Sequence, residues 1–329
     1  MMYISVVMAV YNGEKYIEEA IQSILNQTYS QFELVIVNDG SSDRTREILD
    51  AIADDRVKII HAETNQGAAA SLNLGIEHAL GDWIAIHDAD DLSEPTRLEE
   101  QAGYLLSHPE SIGVGSLITG RIGNEVVSNN SEVEYYNQML EKEQIYKHRL
   151  FMCYLCHGSV TFSKQAFYDA GRYNPMYKIS YDYDLWLRMF EIAPIEKIPK
   201  VLYHYRLRED SLGKQNTKQT ITELMTISSL HLYNKLIREK RRLPVLTIVG
   251  TRRGCLFFKK RVGKRFKKLN YVYVRTIRDS RKIRLQKKRR TFHAAVVLNN
   301  QLSNGLTHRL LRRGPRWRRK VFKIWNYKY

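Results

Sequence analysis

Along the first hundred positions the apolar residues alternate between near-continuous runs and recurrences every three or four residues. Tyr3 to Val10 is an apolar run, broken only by Ser5 and rich in β-branched residues, the pattern of a strand buried on both faces. Asn12-Gly13 turns the chain, and Tyr16, Ala20, Ile21, Ile24 and Leu25 return at helical spacing. Phe32 to Val37 predicts a second strand. It ends in Asn38-Asp39-Gly40-Ser41-Ser42-Asp43, a polar turn that offers a cap to a helix over Thr45 to Ala53. Val57 to His61, Ala68 to Ala79 and Trp83 to His87 then read as strand, helix and strand, the last stopping at Asp88-Ala89-Asp90-Asp91. The βαβαβαβ order predicts an α/β fold, a mostly parallel sheet with helices on both faces. Ligands on such sheets sit beyond the carboxyl ends of the strands, so the turns at Asn12, Asp39 and Asp88–Asp91 share one rim.

Beyond residue 98 the pattern predicts a helix near Leu98–Leu106, strand around Ile112–Ile122 and a helix over Val133–Leu150. A strand at Ser159–Phe162, a helix at Lys164–Ala170 and a helix starting at Asp182-Tyr183-Asp184-Leu185-Trp186 follow, then a strand near Val201–Tyr205. From about Ile221 the pattern is helical, and from Arg238 it is basic. The expected organisation is a domain over 1–234, its halves 1–98 and 99–234, and a separate segment over 235–329.

Charge sharpens that division. The net charge of the 329 residues is +17. Residues 1–234 hold 20 Lys and Arg against 33 Asp and Glu, whereas residues 235–329 hold 32 against 2. Such asymmetry points the second segment at a polyanion. Cys255, Phe258, Val262, Phe266 and Leu269 recur every three or four residues among Lys and Arg, and Trp317, Val321 and Ile324 repeat the pattern. The expectation is a basic helical segment whose apolar side lies in an anionic membrane surface. Nucleic-acid binding through phosphates and docking of partner enzymes are the competing readings, with the membrane favoured. The N-terminal run lacks a basic leader and a cleavage site, and no uncharged apolar run approaches a bilayer span. The expected location is cytoplasmic, peripheral on the inner face of the membrane.

The rim residues suggest chemistry. Asp88-x-Asp90 presents two carboxylates after a rigid strand, suited to a hard divalent cation. Asp39 is placed to accept from a pyrimidine N–H, Tyr11 to cover a base, and the amides of Asn65-Gln66-Gly67, opening a helix, to favour a phosphate. Each alone is as easily a turn or cap residue; their convergence on one side is what carries weight.

Ser5-Val-Val-Met-Ala-Val-Tyr-Asn12, Asn38-Asp-Gly-Ser-Ser-Asp43, Asn65-x-Gly67 with Asn73 and Gly75, and Asp88-Ala-Asp-Asp91 with Pro95 and Arg97-Leu98 together resemble glycosyltransferase family 2 over roughly residues 3–210. The resemblance implies the GT-A fold, inversion at the anomeric carbon, Mn2+ or Mg2+ as cofactor and a nucleotide-sugar donor, UDP-linked by expectation. By position it assigns Asp39 and Tyr11 to the base, Asp88 to the ribose and metal region, and Asp90 to the metal. The family's Glu-Asp pair reads Tyr181-Asp182 here, leaving Asp182 as the general base and Asp184 as its substitute. Trp186 and His157 fall on the acceptor side. Tyr203-His204-Tyr205-Arg206-Leu207-Arg208 resembles a Tyr-Arg-x-His stretch, with Arg208 at the place of the His and, like Arg206, suited to pyrophosphate oxygens. With the basic segment, this suggests a glycan or lipid-linked glycan acceptor in cell-surface polysaccharide assembly. The rival is a non-catalytic protein that keeps the fold and binds a partner; Tyr181 and Arg208 are the features that support it.

Cys153-x-x-Cys156-His157 spells a haem-attachment pattern, but its surroundings read as a buried strand, and three cysteines in all are too few for a disulfide framework.

Overall fold

Alternate residues of the first strand serve two different cores, which is why its run is apolar at every position but Ser5. In the computed structural model, which describes residues 2–138, 141–150, 152–240, 244–274, 294–299 and 321–326, β1 spans Ile4–Val10. Ile4, Val6, Met8 and Val10 face one apolar layer, and Val7 faces the other. Strands β2 (Phe32–Asn38), β3 (Val57–His61) and β4 (Trp83–Ile86) pair in parallel with it or with each other. Helices α1 (Ile17–Leu25), α2 (Thr45–Asp50) and α3 (Ala68–His78) form the crossovers. The expected α/β architecture is present.

After a two-residue strand β5 (Leu92–Ser93) and helix α4 (Arg97–Ser107), the sheet becomes mixed. Strands β6 (Gly113–Ile122), β7 (Glu125–Val127), β8 (Thr161–Ser163) and β9 (Ile195–Arg206) complete nine strands, in the order β3-β2-β1-β4-β8-β6-β9-β5 with β7 on β6. β8 runs antiparallel to both β4 and β6, and β9 runs parallel to β6. The helix expected over Val133–Leu150 is two helices, α5 (Ser131–Asn137) and α6 (Lys142–His148). The side chain of Asn137 pairs with both backbone groups of Ile118, at 3.0 and 2.8 Å, tying the end of α5 to β6. Helices α7 (Lys164–Asp169) and α8 (Tyr181–Met189) cover the second apolar layer.

The chain divides into two compact units, residues 1–147 with 153–211, and residues 148–152 with 212–329. In the second unit, α9 (Leu212–Gln215) and α10 (Thr217–Lys240) come first, and α10 runs unbroken through the boundary expected at 234. Then come β10 (Leu246–Gly250), α11 (Arg252–Arg261), β11 (Leu269–Tyr273), β12 (Ala294–Asn299) and β13 (Val321–Asn326). The four strands form a wholly parallel sheet in the order β11-β10-β12-β13. This corrects the expected basic helical segment. Cys255, Phe258, Val262 and Phe266 do share a face, but that face packs on Leu246, Ile248, Leu232 and Leu236 inside the unit. It is spent on the protein's own core and is not available to enter a bilayer. Val321 and Ile324 lie on a strand, and Trp317 falls outside the described residues. Among the described residues no helix is long and apolar enough to cross a membrane.

Candidate active site

The loops after β1 and β2 are fastened together by their short polar side chains. Asn12 takes a left-handed backbone (φ 53°). Its amide donates to Ser41 Oγ at 2.9 Å, and its side-chain oxygen accepts from the Ser42 amide at 2.8 Å. Gly13 donates to Thr45 Oγ1 and Glu14 to Asp43 Oδ2. Tyr11 is left half exposed at this rim, where the sequence placed it.

Asp39 ties the end of β2 to the start of α3. It is 2% exposed, and its two carboxylate oxygens accept from the amides of Gln66 (2.8 Å) and Gly67 (2.9 Å). Those are amides expected to meet a phosphate; here the carboxylate below them has taken them. Gly67 has φ 91°, a conformation that favours glycine and directs its N–H at Asp39. Asp39→Ala leaves two amides without their charged acceptor, so an unfolding free energy lower by about 2 kcal/mol is expected in urea titration. A loss within error would show the turn holding without it.

The acidic turn after β4 rests on a buried arginine. Arg97 is fully buried and donates to Ile86 O (2.9 Å), Ser93 Oγ (3.0 Å) and Gln101 Oε1 (3.2 Å). Burial lowers its pKa to about 10, while nearby Tyr203, Cys156, Asp88 and Asp91 pull it upward. Tyr203, also fully buried, accepts from the Asp88 amide at 3.2 Å and stacks on the Arg97 guanidinium. Asp91 is buried and accepts from the Arg206 amide at 2.7 Å. Gly158 closes the floor, since a Cβ there would collide with the Tyr203 hydroxyl and lie 2.8 Å from Asp88 Oδ2.

Asp88 Oδ1 stands 3.5 Å from His157 Nδ1, and His157 Nε2 is 2.9 Å from the Tyr173 hydroxyl. Burial alone would depress the imidazole, but the Asp88 carboxylate outweighs it and raises its pKa. The rings of Tyr173, Tyr181 and Trp186 surround His157 at 5.7, 5.5 and 6.1 Å. Asp182, in the first turn of α8, feels the charges of both His157 and Asp88; burial raises its pKa above the usual carboxylate range. Asp184 is tied to Arg188 at 2.7 Å, so the substitute base is already neutralised by a cation.

One open cleft of about 560 Å³ is walled by Tyr11, Asn12, Lys15, Tyr16, Asp43, Asp88, Asp90 and Arg208. It therefore gathers Tyr11, Asp88, Asp90 and Arg208 from the sequence-derived set. Asp39, Asn65, Gly67, His157, Asp182, Trp186 and Arg206 are not on its wall. Trp186 is fully buried, packed edge-on to Phe162; it supports His157 from the core and is closed to an acceptor. Arg206 is 7% exposed. Its guanidinium is used on Asp90 O (2.6 Å) and Glu19 (2.7 Å) and lies 4.2 Å from the Tyr16 ring centroid. It fixes the turn from behind and does not face a diphosphate. Burial pushes the Cys153 and Cys156 thiols up, away from the thiolate form in which a cysteine reacts or binds metal.

The model of the family described as "Glycosyl transferase family 2" matches residues 5–170, half of the chain. This chain is a family 2 glycosyltransferase. EpsE of Bacillus subtilis (strain 168), which carries a provisional glycosyltransferase name, is 35% identical over 216 residues, covering 63% of this chain and 73% of that protein. The fold is shared with S. aureus TarS 1–349 crystallised with UDP-GlcNAc (TM-score 0.58, 21% identity, 71% of this chain and 67% of that one). It is shared too with the mannosyltransferase PcManGT from Pyrobaculum calidifontis in complex with GDP-Man and Mn2+ (TM-score 0.53, 17% identity, 80% and 69%). The chain thus spans about two thirds of each of these two solved structures.

In this family 2 glycosyltransferase, sequence reading did not find the parts played by Arg97, Tyr203, Gly158 and Tyr16. Arg97 left a signal, because with Gln101 it occupies the buried stripe of α4, four residues apart among Leu98, Ala102 and Leu105. Tyr203 and Gly158 left none, since their meeting joins the turn ahead of β8 to β9, which are brought together through β6.

Proposed function

We propose that the protein transfers a sugar, with inversion, from a nucleotide-sugar donor, UDP-linked in our reading, to a hydroxyl of a glycan acceptor. Asp182 is the general base of that reaction. The observation that carries the proposal is the electrostatic grouping of Asp88, His157 and Asp182 beside a cleft that Tyr11, Asp88 and Asp90 line. Direct displacement needs one carboxylate to take the acceptor proton, and the half-buried Asp182 is the candidate free of an arginine partner among the interactions described above.

Asp88 and Asp90 suit a divalent ion. No group of three or more His, Cys, Asp or Glu among the described residues is arranged to hold one. Mg2+ and ions like it, however, commonly take one or two carboxylates and complete their shell with substrate phosphates and water. Burial and the charge of Asp88 raise the Asp90 pKa, a crowding of like charge that a dication relieves. When bound, such an ion would offset charge on the departing diphosphate. Release of nucleoside diphosphate from a panel of nucleotide sugars, with Mn2+ or Mg2+, tests the reading. Silence across the whole panel would count against it.

The acceptor we propose is a lipid-linked glycan of a cell-surface polysaccharide, met at an anionic membrane surface. Every Lys and Arg between 252 and 268 is exposed, and no acidic residue interrupts them. With the apolar face of α11 buried, this attraction works through charge alone, worth about 1 kcal/mol for each basic residue near the surface. Flotation with phosphatidylglycerol vesicles should carry the protein upward at low salt and lose it at high salt. Equal flotation with neutral vesicles would exclude this mode.

A further inference from the structure

Arg208 sits where the proposed cation would act. Its Nη1 donates to Asp90 Oδ2 at 2.7 Å, and its Nε and Nη2 hold the two oxygens of Asp210 at 2.8 and 3.0 Å. The guanidinium is 28% exposed and forms part of the cleft wall with Asp88, Asp90 and Asp210. Asp210 itself is well exposed, so the grip on that side is on the solvent edge, whereas the contact with Asp90 is the inner one.

A guanidinium is a permanent cation with fixed donor directions, and it satisfies a carboxylate as fully as an ion pair can. A divalent ion on Asp90 would bring two positive charges against it at close range, so the two cannot hold the same carboxylate comfortably. The side chain has somewhere to go. Asp210 retains it at the mouth of the same cleft, which is lined by Tyr11, Lys15 and Tyr16, and a diphosphate arriving with the metal supplies the oxygens that a guanidinium pairs best.

We propose that Arg208 is an exchangeable counter-ion: it holds Asp90 while no metal is bound, yields that carboxylate to a divalent cation, and transfers to the diphosphate of the donor. The inference rests on the reading of Asp88 and Asp90 as metal-binding. Its consequence is that metal and nucleotide bind cooperatively, because each removes a contact that opposes the other. Arg208 is in this sense a positioning residue that sets the order and strength of loading.

The test is Mn2+ binding to the whole protein, followed by the electron paramagnetic resonance signal of free Mn2+, with and without UDP. Arg208→Ala is expected to bind Mn2+ alone at least about fivefold more tightly than the parent protein, and to lose most of the tightening that UDP confers. Arg208→Lys, which keeps the charge and loses the fork, should fall between them and serves also if the alanine variant does not fold. A merely structural role for Arg208 would move the thermal midpoint and leave the Mn2+ affinity in place. Unchanged or weaker Mn2+ binding by both variants overturns the proposal, and if Asp90→Asn still abolishes binding, the metal reading survives that failure. Absence of Mn2+ binding to the parent protein and to both Arg208 variants, even with UDP, overturns both.

Discussion

Asp182→Asn is expected to slow nucleotide release by about 10²–10⁴-fold while leaving donor binding nearly unchanged. The substitution is close to isosteric, so α8 keeps its first turn, and Tyr183's backbone amide, which the carboxylate accepts from, retains an acceptor oxygen. What is lost is the ability to take a proton. Burial and the Asp88 charge raise the pKa of this group, against the pull of His157 and the local amides. The sign of the pH dependence follows. A base works only when ionised, so kcat should fall as the pH drops, with its acid inflection above the ordinary carboxylate range. Nucleotide release against time, with donor affinity measured separately by calorimetry, checks both points. Equal turnover by the two proteins would remove Asp182 from the reaction.

Arg97→Met is expected to cost about 3 kcal/mol of stability and most of the activity. The methionine fills similar space, so little of the loss is a cavity. Instead Ile86 O and Ser93 Oγ lose the guanidinium as donor, and Gln101 Oε1 is left with Thr161 Oγ1 alone. Asp88 and Asp91 also lose the positive charge that both sense. Breaking a buried charge network by removing one member commonly costs a few kcal/mol, since the remaining charges stay behind. Urea unfolding gives the first number, and Arg97→Lys should recover part of it. A midpoint equal to that of the parent would mean water replaces the guanidinium.

The nucleotide-side strands were readable because burial on both faces leaves runs that are apolar almost throughout, with only the paired Ser5 and Glu33 inside β1 and β2, and the turns that end them are spelled in Asn, Asp and Gly. Side-chain roles at those turns were harder. A carboxylate at a strand end also satisfies its neighbours' amides, as Asp39 does for Gln66 and Gly67, and no motif spells out that second role. His157, Trp186 and Arg206 are all buried, and burial is what a motif match does not report. The second unit was the larger misreading. Its strands are five or six residues long, a length at which a buried strand and a piece of amphipathic helix look alike. β10, β11 and β12 carry no Lys or Arg, but the basic residues crowd the stretches between them and drew the reading towards a surface helix.

The second unit is also discontinuous. Residues 148–152 belong to it although the chain then returns to the first unit until residue 211, and Leu150 packs on the apolar cluster of α10, β10 and α11. Because of this loan, no single scission of the polypeptide yields both halves with all their residues. A gene fragment cut anywhere between 152 and 212 separates Leu150 from its partners, so the transferase and its cationic companion are inherited together or damaged together.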